Sequence, residues 1–155
     1  MLWNRVLLLY DNSPTSLKAV EYVGKMFGKV QGVSVTLIGV SEHIPGHDLE
    51  GDAPGMDKLR ASFHSMEIKQ EKMKAQIGGA VDLLAKAGIQ CERIDMKFQE
   101  TRHLAKEIIR EVQEGGFGTL VMPYRATTNI FSVLSGDLSS SVIKGLKGCT
   151  VCIVS

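Results

Sequence analysis

The feature that most constrains the fold of this chain is a repeated alternation of short apolar runs with segments of helical periodicity. The apolar runs predict five strands: WNRVLLLY (3–10), VSVTLIGV (33–40), QCERIDMKF (90–98), GTLVMP (118–123) and CTVCIVS (149–155). Four of these runs are nearly continuous in apolar residues, which is typical of strands covered on both faces. The run 90–98 alternates more, so we predict that it is an edge strand.

Four helical segments lie between the strands. The first begins at Ser13, a predicted N-cap followed by a proline in the first turn. The others are predicted at about 65–87, from near 102 to 114, and from 137 or 138 onwards. Strand and helix in alternation indicate parallel strands joined by right-handed crossovers. We therefore predict an α/β fold, a doubly wound sheet of five parallel strands in the order 3-2-1-4-5 with helices on both faces.

The composition fits one globular domain and excludes several partner classes. With 155 residues, 44% of them hydrophobic, the chain can build one full core. Eighteen basic and seventeen acidic residues give a net charge of +1, so neither a nucleic acid nor a membrane is predicted as a partner. The run VLLLY is interrupted by Asp11 before it could serve as a signal-peptide core, which favours a cytoplasmic protein.

The three cysteines do not predict a disulfide framework or a redox centre. Their number is odd, as expected in a reducing compartment. Cys149 and Cys152 form a C-x-x-C pattern, but the sequence around them is β-branched and strand-like. Residues three apart in a strand point to opposite faces, so we predict that these two cysteines are structural.

The predicted topology places a ligand site at the carboxyl ends of the first and fourth strands, where the winding of the sheet reverses. Asp11 and the loop 123–136 share that edge, and the loop leads into a hydroxyl-rich helix start whose amides could bind an anion. A phosphate cradle needs glycines, yet only Gly136 is present and Asp137 lies beside it. Position therefore favours a site, and composition disfavours a phosphate.

The segment 41–64 does not fit the alternation. It is long, polar and rich in glycine and proline, which predicts a flexible loop that is a lid, a partner surface or a disordered segment. His43, His47 and Asp48 in this segment are metal-ligand types, but without a second cluster no metal site is predicted.

Several stretches together resemble the universal stress protein family. They are LLYDNSPTSLKAVEYV, VTLIGVSE, GGFGTLVMPYR and SGDLSSSVIKGLKGCTVCIVS, and they cover most of the chain outside 41–64. The resemblance implies a single domain over 1–155 with a HUP-type, Rossmann-like fold and a role in stress response or regulation. It also implies a homodimer through the last strand, 149–155, whose apolar edge could pair with a second copy.

The resemblance also identifies candidate site residues. Members that bind ATP carry G-x2-G-x9-G followed by Ser or Thr after the fourth strand. Counting back from Gly136 places Pro123 and Ala126 at the first two glycine positions and Asp137 at the hydroxyl position. Asp11 matches the aspartate that such members use after the first strand, but an Asx turn at the end of that strand would also explain the sequence DNSP without a ligand. Val40 matches the residue whose backbone meets the adenine.

These departures weaken a phosphate cradle for physical reasons. Pro123 has no amide to donate, and Ala126 adds a Cβ where a glycine would let the backbone approach a phosphate. The carboxylate of Asp137 would cap the last helix and repel a phosphate about 4 Å away by roughly 4 kcal/mol at an effective dielectric constant near 20. Arg125 could offset part of this repulsion.

The sequence thus predicts a regulatory or protective domain that binds ATP weakly or not at all and requires no cofactor. One alternative is an ATP-dependent switch, with Mg-ATP held by Arg125, Ser139 and the amides of the last helix. Another is an adenine-nucleotide hydrolase or ligase on the same fold, although no nucleophile, base and orienting residue form a recognisable catalytic set. The candidate binding residues are Asp11, Val40, Arg125, Ala126, Gly136, Asp137, Leu138 and Ser139.

Overall fold

A computed structural model describes residues 1–42, 55–124 and 138–155. The strands and helices in these ranges alternate along the chain as the sequence predicts. They are β1 (Leu2–Tyr10), α1 (Pro14–Phe27), β2 (Ser34–Glu42), α2 (Gly55–Lys86), β3 (Ile94–Thr101), α3 (Leu104–Gly115), β4 (Phe117–Pro123), α4 (Leu138–Gly145) and β5 (Thr150–Val154). A single 3-10 turn, Cys91–Arg93, precedes β3.

The five strands form one parallel sheet in the order β3-β2-β1-β4-β5, which confirms the predicted topology. The first strand is central: Leu8 lies beside Leu37 of β2 on one side and Val121 of β4 on the other. The alternating strand β3 is at one edge, as predicted, and β5 is at the other. Reversal of the winding direction at β1 makes the crevice between β1 and β4 the switch point of the sheet.

The core has two layers because successive strand residues point to opposite faces of the sheet. Val6, Leu8 and Tyr10 of β1 pack with residues of α1 and α2. Leu7 and Leu9 pack with residues of α3 and α4. Each layer buries a continuous apolar surface, which explains why the central strands read as unbroken apolar runs.

The two cysteines of the C-x-x-C pattern, one in β5 and one directly before it, contact different layers, which confirms that they face opposite sides of the sheet. Cys149 packs against the layer under α3 and α4, whereas Cys152 packs against the layer under α1 and α2. The hydroxyl of Tyr22 donates to Cys152 Sγ at 3.9 Å. Both thiols are free and half-buried, and burial raises the pKa of Cys149.

The second helix is longer than predicted. It begins at Gly55, about ten residues before the predicted start, and β2 extends to Glu42, so the predicted 41–64 loop was too long at both ends. Residues 55–64, GMDKLRASFH, contain good helix formers once the glycines and prolines before them have passed. The remaining residues of the predicted loop, 43–54, lie outside the described residues.

The predicted cap of α1 is confirmed. The amide of Ser16 donates to Ser13 Oγ at 3.1 Å, and Pro14 occupies the first turn.

None of the helices in the described ranges is long and apolar enough to cross a bilayer.

Candidate functional site

We call the side of the sheet where the strands have their carboxyl ends the carboxyl edge. Predicted site residues that the structure describes lie at or near this edge. Tyr10 of β1 pairs in register with Gly39 of β2. Asp11 and Val40 are the next residues along their two chain segments, so both are at this edge. Val40 is buried in the same apolar cluster that Leu138 of α4 contacts. Asp11 and Val40 therefore lie at the carboxyl edge, and Leu138 packs against the apolar layer that contains Val40.

A tight turn follows β1 and fixes the position of Asp11. Its Oδ1 accepts a hydrogen bond from the amide of Ser13 at 3.0 Å, which is the Asx turn that DNSP predicts. Asn12, between them, has a φ of 61°, a left-handed conformation that asparagine tolerates better than most residues. The half-buried carboxylate of Asp11 is thus oriented by the backbone that leads into α1.

Tyr10 also takes part in this turn, although it is not among the site residues predicted from the sequence. Its ring is 2% exposed, and its hydroxyl donates to Asn12 Oδ1 at 3.3 Å. Burial, and then the negative charge of Asp11, raise the pKa of Tyr10. The available signal was a phenol ending an otherwise aliphatic strand, since a buried tyrosine hydroxyl usually needs a partner.

The exit from β4 is short of backbone donors. Pro123 is buried at the end of β4 beside Val154 of β5 and has no amide hydrogen. The next amide, that of Tyr124, donates to the carbonyl of Val154 at 2.6 Å. Residues 123 and 124, the first two at the exit from β4, therefore have no N–H group available for a phosphate.

The start of α4 contributes more to the core than to the open edge. Leu138 is half-buried, and the side chain of Ser139 is 4% exposed. Arg125, Ala126, Gly136 and Asp137 lie outside the described residues, so their predicted roles stay predictions. The same holds for the ligand types in 43–54. Among the residues that the structure does describe, no three His, Cys, Asp or Glu side chains are grouped as a metal site would require.

This geometry defines a class of protein: a Rossmann-like α/β domain with a capped turn and a helix start at the switch point of its sheet. The sequence profile of the universal stress protein family matches residues 3–155. The chain belongs to the universal stress protein family, as the resemblance implied. No curated protein sequence matches the chain.

Solved structures of this family share the fold at low sequence identity. Universal stress protein UspA from Lactobacillus plantarum is 13% identical, with a TM-score of 0.66 over 100% of this chain and 99% of that one. A universal stress protein in complex with cAMP is 17% identical, with a TM-score of 0.64 over 97% and 95% of the two chains. One from Archaeoglobus fulgidus in complex with dAMP is 14% identical, with a TM-score of 0.56 over 97% and 96%.

Proposed function

We propose that this chain is a cytoplasmic regulatory or stress-response domain that binds ATP weakly or not at all. The observation that carries this proposal is the exit from β4. Pro123 lacks an amide, and the amide of Tyr124 is already bonded to Val154. A triphosphate needs several backbone donors at this edge. Residues 123 and 124 do not supply such donors.

The loop sequence supports the same proposal. Ala126 stands where ATP-binding members have a glycine, and Asp137 stands where they have a hydroxyl. A carboxylate that directly precedes a helix in the sequence would compete with a phosphate for the positive end of the helix dipole. The greatest obstacle to ATP is therefore the charge of Asp137, and the two lost glycines are secondary.

Isothermal titration with Mg-ATP tests this ranking in three proteins: the parent, Asp137→Ser, and the double variant Pro123→Gly, Ala126→Gly. We expect Asp137→Ser to raise the affinity most, because removing an anion outweighs easing two backbone contacts worth about 1 kcal/mol each. The gain should be larger at low salt, where screening is weaker. Micromolar binding by the parent would contradict the proposal. A double variant that binds while Asp137→Ser does not would contradict the ranking.

A second candidate is an adenine nucleotide with a single phosphate. Two structural neighbours were solved with cAMP and with dAMP. This chain has Asp11 and Val40, which resemble residues of the ATP-binding members, at the carboxyl edge of its sheet. Repulsion by Asp137 grows with the charge of the ligand, so a monophosphate is opposed less than ATP. Titration with cAMP and with ATP separates the candidates, and Asp11→Ala should remove cAMP binding if this site holds it. Equal affinities for the two ligands would contradict it.

Mass spectrometry of small molecules released from the purified protein distinguishes the remaining alternatives. Nothing released would agree with weak nucleotide binding. Bound ATP would favour an ATP-dependent switch. A product that accumulates when the protein is incubated with Mg-ATP would favour a hydrolase or ligase.

Assembly into a homodimer through β5 is part of the proposal. In the described sheet β5 is hydrogen-bonded to β4 on one side and is an edge strand on the other. Ile153 on this strand is 41% exposed. An open edge with an exposed apolar side chain favours pairing with a second copy across a two-fold axis.

Light scattering at roughly tens of micromolar protein tests the dimer, because the dimeric fraction depends on protein concentration. Ile153→Lys should shift the protein towards a monomer, because a charge would enter the paired interface. Met96→Lys is the matched control, since Met96 is 51% exposed on the opposite edge strand, β3. A parent with the mass of a 16.9 kDa monomer would contradict the proposal.

A further inference from the structure

Three consecutive apolar side chains are exposed at the amino edge of the sheet, the edge opposite the candidate nucleotide site. Met1 is 55% exposed, and Leu2 and Trp3 are each 61% exposed. Trp3 is the only tryptophan in the chain. We refer to these three residues as the apolar tip. Isolated exposed apolar residues are common, but a group of this kind that includes tryptophan marks an interaction surface more often.

The apolar tip is held by the sheet. The amide of Leu2 donates to the carbonyl of Gly116 at 3.4 Å, and Thr119 Oγ1 donates to the carbonyl of Trp3 at 2.7 Å. A Cβ at Gly118 would lie 2.5 Å from the Leu2 carbonyl carbon, so this glycine allows β1 and β4 to approach closely. The backbone is therefore anchored while the side chains point outwards.

Basic side chains surround the tip. The amino edge consists of residues 1–5 and the segments that lead from each helix into the next strand: 28–33, 87–93, 116 and 146–149. These segments contain five charged residues, and all five are exposed. One is acidic, Glu92, and four are basic: Arg5, Lys29, Arg93 and Lys147. Whole-chain charge is only +1, so the positive charge is concentrated at this edge.

Contacts between these segments show that they form one surface. Asn4 Nδ2 and Arg93 Nη1 both donate to the carbonyl of Gly32, at 3.0 and 3.3 Å. A Cβ at Gly148 would lie 3.9 Å from Met1 Sδ. Arg5 lies over the ring of Phe117, 5.4 Å from its centroid. Lysines at helix C-termini complement the helix dipole, which accounts for Lys29 and Lys147 but not for an exposed tryptophan.

We propose that the apolar tip and its basic surround dock on an anionic phospholipid bilayer. Tryptophan with flanking lysine and arginine is the combination that favours the headgroup region of a membrane. Three side chains of about 200 Å² each offer less area than the ~800 Å² per partner of a standard protein interface. Shallow insertion needs no such area, because the basic residues add electrostatic attraction. The expectation of no membrane partner rested on total charge, which averages over the two edges.

Vesicle binding of the full chain tests the proposal, with phosphatidylcholine vesicles that either contain or lack phosphatidylglycerol. We expect the protein to pellet with the anionic vesicles and the emission of Trp3 to shift to shorter wavelength. Leu2→Ser should weaken binding and leave the fluorescent reporter in place. Lys29→Glu with Lys147→Glu should lower the affinity about tenfold or more, because each basic residue near an anionic surface contributes several-fold.

Matched controls separate the tip from general surface properties. Met96→Ser removes an apolar side chain that is 51% exposed on β3, and Lys18→Glu with Lys72→Glu makes the same charge change on α1 and α2. Both should bind like the parent, and circular dichroism checks that every variant folds. Equal binding to neutral vesicles, unchanged binding by the Leu2 or Lys29 and Lys147 variants, or binding to RNA without binding to vesicles would each overturn the proposal.

Discussion

The turns at the amino edge of the sheet and those at its carboxyl edge are stabilised in different ways, although they connect the same strands. Where a helix leads back to the amino edge, the described turns use glycines with positive φ: Gly32 (73°), Gly88 (113°), Gly116 (64°) and Gly148 (72°). At the carboxyl edge, the turn after β1 uses Asn12 in a left-handed conformation together with side-chain hydrogen bonds of Asp11 and Ser13. One edge is thus fixed by backbone geometry and the other by side chains.

This difference explains how residues of the candidate nucleotide site can change without loss of the fold. Side chains that orient a turn can be replaced one at a time at modest cost, whereas a left-handed backbone that favours glycine accepts few other residues. Pro123 is at the carboxyl edge, and Asp137 directly precedes α4 in the sequence. The following four predictions test the comparison, from the largest expected effect to the smallest.

Gly88→Ala should destabilise the fold most. Gly88 has a φ of 113°, and a Cβ there would lie 2.5 Å from the carbonyl oxygen of Gly28, so strain and a backbone clash act together. We expect a loss of about 3 kcal/mol in the free energy of unfolding, measured by urea denaturation. A loss below about 1 kcal/mol would show that the amino edge is not fixed by its backbone.

Ser13→Ala should cost less, at the other edge. It removes the acceptor of the Ser16 amide, and the loss of a serine N-cap costs about 1 kcal/mol. Ser13→Thr keeps the hydroxyl and should lie close to the parent in the same denaturation experiment. If Ser13→Ala cost as much as Gly88→Ala, the distinction between the two edges would be wrong.

Gly79→Ala should change stability by a similar amount in the opposite direction. Gly79 lies inside α2, away from both edges, and nothing lies within 4 Å of the position of an added Cβ. Alanine should therefore raise the free energy of unfolding by about 1 kcal/mol, the difference in helix propensity. Destabilisation would reveal a packing or bending role that the described contacts do not show.

Tyr10→Phe should have the smallest effect, visible as a change in pH dependence. Burial and the charge of Asp11 raise the pKa of Tyr10 in the folded state, so the unfolded chain loses this proton first as pH rises through the usual value of 10.0. The parent should lose stability above that pH, and the phenylalanine variant should lose less. Identical slopes in denaturation series across this range would contradict the assignment.

The sequence predicted the sheet order, both edge strands and the Ser13 cap because each depends on local periodicity or capping chemistry. The predicted start of α2 was wrong, because the prediction extends the glycine- and proline-rich segment 43–54 through residues 55–64, whose composition favours a helix. The Asx turn of Asp11 was predictable from DNSP alone. These features lie within short stretches, where the residues themselves supply the signal.

Two parts of the candidate site could not be predicted from the sequence. The Tyr124 amide reaches the carbonyl of Val154 only because β4 and β5 pair in a particular register. The hydrogen bond of Tyr10 to Asn12 depends on a left-handed turn that any of several residues could have adopted. Both depend on how elements meet in three dimensions.

The central position of β1 has a consequence for the order of folding. Pairing of β1 with β2 encloses only α1, so this unit can form from contacts that are close in sequence. Pairing of Val6 with Thr119 must close most of the chain, which costs more entropy and is slower. We therefore expect an intermediate in which one side of β1 is still unpaired and able to bind another chain. Refolding yield should fall with protein concentration until β4 enters the sheet.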